Sequence, residues 1–187
     1  MQAPHPLARR RWLALAAAFA AGLPAGARAA EVPLADSVKA AYLFKFVGYV
    51  DWPATAFAAP ATPIVIGVSD ADPVLAELQR MLPGRSVQGR PLVARKVAAG
   101  EVPPELHVLF AGRAAELAAH DWLQHLRDKP VLLVTNDPDG LRLGGMINFL
   151  LVQGRLRFEA SVPMADRSGL KLSSRLLAVA ERVVTTP

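Results

Sequence analysis

The chain has 187 residues, no cysteine, and 21 basic against 16 acidic side chains. This length is typical of one domain that buries a substantial core. The lack of cysteine excludes disulfides, zinc–thiolate sites and thiol chemistry, so stability must come from that core.

The first 29 residues have the pattern of a cleaved export signal. Arg9-Arg10-Arg11 is a basic segment, residues 12–23 are apolar, and Ala27-Arg28-Ala29 resembles a cleavage site. The apolar run is shorter than the ~20 residues that span a bilayer. We therefore expect a signal peptide over residues 1–29 and an exported mature domain over residues 30–187. The pattern leaves Sec and twin-arginine export open, and the ordinary Sec route fits better.

Removal of this leader changes the charge balance. Four of the 21 basic residues lie within it, whereas every acidic residue lies at Glu31 or later, which leaves 17 basic against 16 acidic residues. A nearly neutral domain lacks the basic footprint of a nucleic-acid-binding protein. We therefore expect no nucleic-acid partner.

Residues 33–53 predict the helix around which the domain is built. Pro33 suits a first helical turn, and two neighbouring apolar stripes predict that most of the helix is buried. Asp51-Trp52-Pro53 should end it, because a residue before proline leaves the helical region. The aromatic residues have two interpretations: Tyr42, Tyr49 and Trp52 are core, or they line a ligand groove or partner surface.

The middle of the chain alternates predicted strands and helices. Three continuous apolar runs are typical of strands that are buried on both faces, at residues 64–68, 106–111 and 131–135. Residues 90–97 predict an edge strand. Helices are predicted after Asp72, which is a candidate N-cap followed by Pro73, and over residues 113–127.

A hairpin and two short helices are predicted near the C-terminus. Residues 146–152 and 155–159 flank the turn Gln153-Gly154. One helix should follow Val162, and a last helix, capped by Ser173 or Ser174, should pack its apolar residues inward as far as Val183. The complete pattern predicts a single three-layer α/β domain: a mainly parallel sheet with a C-terminal antiparallel hairpin and helices on both faces.

No group of residues has the pattern of a catalytic or metal site. His107 lies within an apolar strand and is interpreted as a core residue. His120 and His125 diverge on one predicted helix, although Asp121 and His125 lie a turn apart. Gly144-Gly145 lacks the third glycine of a dinucleotide fingerprint, and no serine lies in a Gly-x-Ser-x-Gly elbow. We therefore predict no enzyme activity, no cofactor and no metal.

The arginines of the hairpin are better candidates for recognition. Arg155 and Arg157 alternate with Leu156 and Phe158, so the two guanidinium groups share one face of a strand. Two such groups can bind an anion or an acidic partner. The alternative is a solvated sheet face that is paired with nearby acids.

A set of short motifs runs in order along the mature chain: Val38-Lys39-Ala40-Ala41-Tyr42-Leu43-Phe44-Lys45-Phe46 with Trp52-Pro53, Ile66-Gly67-Val68, Gly89-Arg90-Pro91-Leu92, His107-Val108-Leu109-Phe110, Pro130-Val131-Leu132, Gly144-Gly145-Met146-Ile147, Arg157-Phe158, and residues 170–177. Taken together and in this order, the motifs resemble the YfiR family across essentially the whole mature chain. The resemblance implies a single α/β domain, often dimeric, that acts in the periplasm as a non-enzymatic regulator.

Its implied partner is a membrane-anchored diguanylate cyclase, which family members hold inactive by binding its periplasmic sensor domain. An outer-membrane lipoprotein can sequester the repressor, and cyclic-di-GMP synthesis and biofilm formation then follow. This sequence departs from the family in two respects. It lacks the cysteines that many members carry, which puts redox control in doubt. It also has Glu159-Ala160-Ser161 where an asparagine is common after the Arg-Phe strand.

Two binding hypotheses follow. In the first, the chain represses the sensor region of a diguanylate cyclase or kinase through a face that contains Lys45, Trp52, Arg90, Arg157 and Arg175, with the arginines orienting an acidic partner. In the second, the chain is a periplasmic small-molecule receptor feeding a histidine kinase or other partner, and it binds an anionic or aromatic ligand at strand ends such as Ser69-Asp70 and Asn136-Asp137.

Overall fold

A computed structural model of the chain describes residues 27–98, 100–112, 125–126 and 129–186, with side chains from residue 35 onward. The chain divides into two compact units, Met1–Val32 and Pro33–Pro187. Helix α1 spans Ala27–Val47, and every side-chain feature described below belongs to the second unit. Within the described ranges, no helix is both long and apolar enough to cross a membrane.

The second unit is built on one large sheet. Its strands are β2 (Ile64–Ser69), β3 (Ser86–Val87), β4 (Arg90–Lys96), β5 (Leu106–Ala111), β6 (Leu132–Thr135), β7 (Ile147–Val152), β8 (Arg155–Ser161) and β10 (Arg182–Val184). They lie in the order β10-β8-β7-β6-β5-β2-β4-β3. Neighbours are parallel except in the pairs β3–β4 and β7–β8. The predicted fold class, a mainly parallel α/β sheet with a C-terminal antiparallel hairpin, is confirmed.

The remaining elements are short. A two-stranded ribbon pairs β1 (Val50–Asp51) with β9 (Lys171–Leu172) in antiparallel fashion. Apart from residues 125–126, the helices after α1 in the described part of the chain are α2 (Asp72–Met81), α3 (Val162–Arg167) and α4 (Ser174–Leu177). A single 3-10 turn spans Ala54–Ala56.

The three apolar runs form the buried centre of the sheet. Every residue of β2, β5 and β6 is buried, as continuous apolar sequence predicts for a strand covered on both faces. One core cluster joins these strands to α1 and α2, and a second contains Leu126, Val131 and Leu133. Residues 125–126 are helical; the rest of the helix predicted over 113–127, with His120, Asp121 and Trp122, lies outside the described residues.

Aromatic contacts hold α1 against the β7–β8 hairpin. The ring of Phe46 lies 5.0 Å from that of Phe158 and 5.8 Å from that of Phe149. Tyr42 contacts the same two strand residues at 5.8 Å. Phe46 is 1% exposed, so the apolar stripe of α1 is core, and Tyr42 belongs to it rather than to an open groove.

The predicted end of α1 is wrong. The helix ends at Val47, three residues before Val50, and it already includes residues 27–32, ahead of Pro33. Val50 and Asp51 instead extend into β1, where they pair with Leu172 and Lys171. Val50 is fully buried, so it continues the apolar stripe although the backbone is no longer helical. The partner strand lies far along the chain, where local periodicity cannot reveal it.

The predicted N-cap of α2 is also wrong. Ala71, not Asp72, is the N-cap of this helix. The Asp72 carboxylate lies 2.8 Å from Lys96 Nζ, so it joins α2 to the end of β4 by an exposed ion pair. Its place in the first turn still favours a negative charge.

The last helix is much shorter than predicted. The Ser173 hydroxyl caps α4 by accepting the Leu176 N–H at 3.2 Å, as expected, but α4 ends at Leu177. Val179 is 65% exposed. Val183 lies in β10, which pairs in parallel with β8. The spacing of the apolar residues up to Val183 suits a helix, but the last of them form an added strand instead.

The prediction of an edge strand over 90–97 is confirmed for most of its length. β3 pairs only with Arg90 and Pro91 of β4. The outer side of the remainder of β4 has no paired strand among the described residues, and Val93 is 44% exposed there.

Candidate functional site

Three of the five predicted contact residues lie on segments that the ribbon joins. Lys45 is exposed in the last turn of α1, Trp52 directly follows β1, and Arg175 is exposed in α4 after β9. The β1–β9 pairing holds these segments, and the Ser173 N–H donates to the Tyr49 carbonyl at 2.9 Å. We call Lys45, Tyr49, Trp52, Lys171 and Arg175 the ribbon surface.

The ribbon surface combines an exposed aromatic ring with several cations, and the exposed Asp51 lies directly opposite Lys171. Tyr49 is 39% exposed. Lys171 makes a long ion pair with Asp166 at 3.8 Å, whereas Lys45 and Arg175 make no ion pair with any residue that the structure describes. Such a surface suits a partner with an acidic rim and an apolar centre.

Trp52 contributes more to the support of this surface than to its exposed area. The side chain is half-buried and packs against the core that contains α1. Its indole Nε1–H is buried and has no hydrogen-bond partner among the described residues. A buried, unpaired donor costs about 1–3 kcal/mol. Trp52, which directly follows β1, therefore leaves one buried donor unused.

Arg90 has a different environment, on β4. Its guanidinium lies 3.7 Å from the ring centre of Phe57, and its Nη1 donates to the carbonyls of Ala59 at 2.8 Å and Thr62 at 3.1 Å. These contacts hold the connector between the 3-10 turn and β2. The donors of Arg90 are therefore largely used within the chain.

The connector also covers His107. Phe57 stacks on the imidazole at 4.6 Å. Nδ1 accepts the Val65 N–H at 3.2 Å, so Nε2, which lies 3.1 Å from the Ala56 carbonyl, carries the proton. Burial lowers the pKa of His107, which keeps the ring neutral. These contacts agree with the interpretation of His107 as a core residue.

Arg157 lies on the hairpin, away from the aromatic face. Phe158 faces α1, and adjacent strand residues point to opposite sides, so Arg155 and Arg157 share the other face as predicted. Both are exposed, and neither forms an ion pair with a described residue. The structure thus places Lys45, Trp52 and Arg175 on segments that the ribbon joins, and it places Arg157 on a separate element.

Sequence reasoning missed a polar ladder that crosses four strands. Thr135, Asn148, Glu159 and Arg182 are direct neighbours on β6, β7, β8 and β10. Thr135 Oγ1 donates to Asn148 Oδ1 at 2.8 Å, and Asn148 Nδ2 donates to Glu159 Oε1 at 2.9 Å. Arg182 Nε donates to Glu159 Oε2 at 2.8 Å, and its Nη2 contacts the same oxygen.

The ladder contains a buried carboxylate, which must be paired and hydrogen-bonded. Glu159 is only 5% exposed, and a buried carboxylate is tolerated when it is paired and hydrogen-bonded. The backbone packs tightly against it: a Cβ on Gly140 would lie 2.2 Å from Asn148 Oδ1 and 2.3 Å from Thr135 Oγ1. The sequence does carry a sign of the ladder, because the polar residues Asn148 and Glu159 interrupt apolar stretches of their strands.

A cleft opens beside the ladder, between the 141–146 segment and α3. Its volume is about 490 Å³. A smaller adjoining cavity of about 300 Å³ shares Arg142 and Arg167 with it and reaches Ser161 and Arg182. The predicted ligand-binding turn at Asn136-Asp137 lies just before this cleft. The Asp137 N–H donates to Asn148 Oδ1 at 3.2 Å, so it is used by the ladder.

The other predicted strand end is also occupied internally. The Ser69 hydroxyl is buried and donates to Asp70 Oδ2 at 3.2 Å. Among the described residues, no cluster of three or more His, Asp or Glu side chains could hold a metal ion. Among the described residues, the side chains that form no ion pair include the exposed cations Lys45, Arg157 and Arg175.

The family model described as YfiR/HmsC-like matches residues 36–181, which includes α1 from its middle, the whole large sheet except the three residues of β10, and the ribbon. No curated protein matches the chain.

Proposed function

Because the chain belongs to the YfiR/HmsC-like family, we propose that it is a periplasmic repressor that binds the sensor domain of an inner-membrane diguanylate cyclase. Membership supports a regulator of cyclic-di-GMP signalling, from a regulatory, non-catalytic family. The repressed partner, the periplasmic location, a homodimeric state and release by an outer-membrane lipoprotein are the finer parts of this proposal.

The ribbon surface is the observation that supports it best. Tyrosine, tryptophan and arginine are the residue types that most often dominate binding energy at interfaces. Here Tyr49 is exposed, and Arg175 has no ion-pair partner among the described residues. Trp52 packs against the hydrophobic core. The aromatic ring supplies apolar area, and the cations orient an acidic counterpart.

Repression then follows from a population shift. A cyclase that exchanges between active and inactive forms is shifted toward the form that its partner binds more tightly. The shift is limited by the difference in affinity for the two forms. A repressor therefore needs a surface that persists when free, and the paired β1–β9 ribbon provides one without a folding step.

The proposal is tested by titrating the folded chain against the isolated periplasmic domain of the cyclase. We expect binding, and Arg175→Glu should weaken it at least tenfold, or about 1.4 kcal/mol. Tyr49→Ala should have a similar effect. Arg155→Glu is the matched control, because it reverses an exposed arginine outside the ribbon surface. Equal losses for Arg175→Glu and Arg155→Glu would reject the ribbon surface, and absence of binding by the folded chain would reject the repressor function.

A second candidate function is a periplasmic small-molecule-binding domain that passes a signal to a histidine kinase or other partner. The cleft beside the polar ladder favours it, because its volume of about 490 Å³ lies within the 300–1,000 Å³ that is typical of ligand pockets. Thermal-shift screening of the chain without any partner separates this function from the first.

A further inference from the structure

The cleft between the 141–146 segment and α3 is lined by apolar side chains together with polar groups such as Ser168. Leu133 of β6 and Met146 form part of its lining and are almost completely buried from solvent. Leu141, Leu143 and Met164 form further walls and are half-buried. A cavity with such walls gains affinity from an apolar ligand body, at about 25 cal/mol per Å² of surface buried.

Three arginines surround this cleft and its adjoining cavity, but two of them are already paired. Arg142 makes two hydrogen bonds to the Asp139 carboxylate, at 3.0 and 3.2 Å. Arg182 pairs with the buried carboxylate of Glu159. Both positive charges are therefore balanced by acids of the chain itself.

Arg167 is the exception. It lies in the last turn of α3, and its only side-chain hydrogen bond with a described residue is a 3.9 Å contact from Nη1 to the Met164 sulfur. No described carboxylate lies within ion-pair distance of its guanidinium. Its planar donor set is suited to a carboxylate, which it can bind in bidentate fashion.

We propose that this cleft binds an amphipathic monoanion, in which one carboxylate pairs with Arg167 and an apolar body fills the cavity lined by Leu133, Met146 and Met164. One unbalanced cation beside apolar walls matches a single negative charge. A nucleotide or another polyanion would need further free cations, whereas Arg142 and Arg182 are neutralised. A bare inorganic anion would leave the apolar walls unused.

This site goes beyond the proposed repressor function and does not depend on it. The cleft lies on the large sheet, the 141–146 segment and α3, and the ribbon surface lies on the end of α1, β1, β9 and α4; the two meet at the Asp166–Lys171 ion pair. Binding of a ligand in the cleft is measured on the chain alone, without the partner.

The test measures binding of decanoate to the purified, folded chain by calorimetry, with decanol and inorganic phosphate as comparison ligands. Decanoate should bind, decanol should bind at least tenfold more weakly because it lacks the charge, and phosphate should not bind measurably. Arg167→Ala should weaken decanoate at least tenfold, whereas Arg155→Ala, which removes an exposed arginine elsewhere, should leave the affinity unchanged.

A second variant tests the apolar part. Leu143→Asp places a carboxylate in a half-buried wall of the cleft and should abolish decanoate binding while the chain remains folded by circular dichroism. The proposal is overturned if decanoate does not bind the wild-type chain, if Arg167→Ala and Arg155→Ala bind it equally, or if phosphate binds as tightly as decanoate. Loss of decanoate binding with cyclase binding intact would leave the repressor function standing.

Discussion

Replacement of Gly140 by alanine should destabilise the domain through the polar ladder. The glycine has no left-handed backbone angle, so alanine adds no conformational strain at this position. Its Cβ would nevertheless lie 2.2 Å from Asn148 Oδ1 and 2.3 Å from Thr135 Oγ1, distances that side chains do not tolerate. Asn148 must move, and the hydrogen bonds that its oxygen accepts from Thr135 and from the Asp137 N–H are disrupted.

The magnitude follows from these contacts. Overpacking of a buried site costs about 1–3 kcal/mol, and a buried donor left without its acceptor costs about 1–3 kcal/mol. We expect Gly140→Ala to lower the free energy of unfolding by roughly 3 kcal/mol. For a chain of this size, that corresponds to a fall in Tm of roughly 6–12 °C.

Urea denaturation and thermal unfolding of the mature chain measure the effect. Gly154→Ala is the matched control, because Gly154 has a φ of +74° and open space around its Cβ position. Its expected cost is about 1 kcal/mol, which arises from the backbone alone. If Gly140→Ala loses no more stability than Gly154→Ala, the ladder does not constrain the fold as argued.

Three further predictions concern stability. Phe46→Ala should lower the free energy of unfolding by about 3–5 kcal/mol, because the ring is buried among strand aromatics, and urea titration checks this; a loss below 1 kcal/mol would contradict the packing. Ser173→Ala should cost about 1 kcal/mol through the lost N-cap of α4, and an unchanged Tm would contradict that role. Because the pKa of His107 is lower in the folded chain, the unfolded chain binds a proton on this imidazole more readily. The free energy of unfolding should therefore be highest above about pH 6.5 and decrease below that pH, by at most about 1.4 kcal/mol per pH unit. Urea midpoints from about pH 7.5 to pH 5.5 measure this fall, and His107→Leu should flatten it; an equal slope in that variant would assign the effect to other groups.

Local patterns predicted the elements whose residues are buried by neighbours on every side. Ile64–Ser69, Leu106–Ala111 and Leu132–Thr135 are strands because their continuous apolar runs suit only a central position in a parallel sheet. The hairpin was also predictable, because Gln153-Gly154 adopts left-handed backbone angles between two apolar segments.

The errors occur where a distant segment decides the structure. Val50 fits the apolar stripe of α1, yet pairing with Leu172 makes it a strand residue. Val183 fits a helical spacing, yet it pairs with Ala160 of β8. In both cases the side chain occupies the expected apolar environment, and only the backbone conformation differs.

Residue type predicts Lys45, Trp52 and Arg175 as contact residues, and this stays a prediction. The structure adds that the ribbon joins the segments that carry them. The ladder was missed because Thr135, Asn148, Glu159 and Arg182 come from four separate strands, and only the sheet order makes them neighbours. Its charge predicts Arg90 as a contact residue, but in the structure its guanidinium lies over the Phe57 ring and holds the connector.

The main proposal is that this chain represses a diguanylate cyclase through its ribbon surface. Cyclic-di-GMP synthesis by the membrane-embedded cyclase, measured as the folded chain is added on the periplasmic side, tests that claim directly. Synthesis should fall to a plateau with the wild-type chain and should require at least tenfold more of the Arg175→Glu variant for the same effect. Synthesis that stays constant at every concentration of the folded wild-type chain would contradict the account.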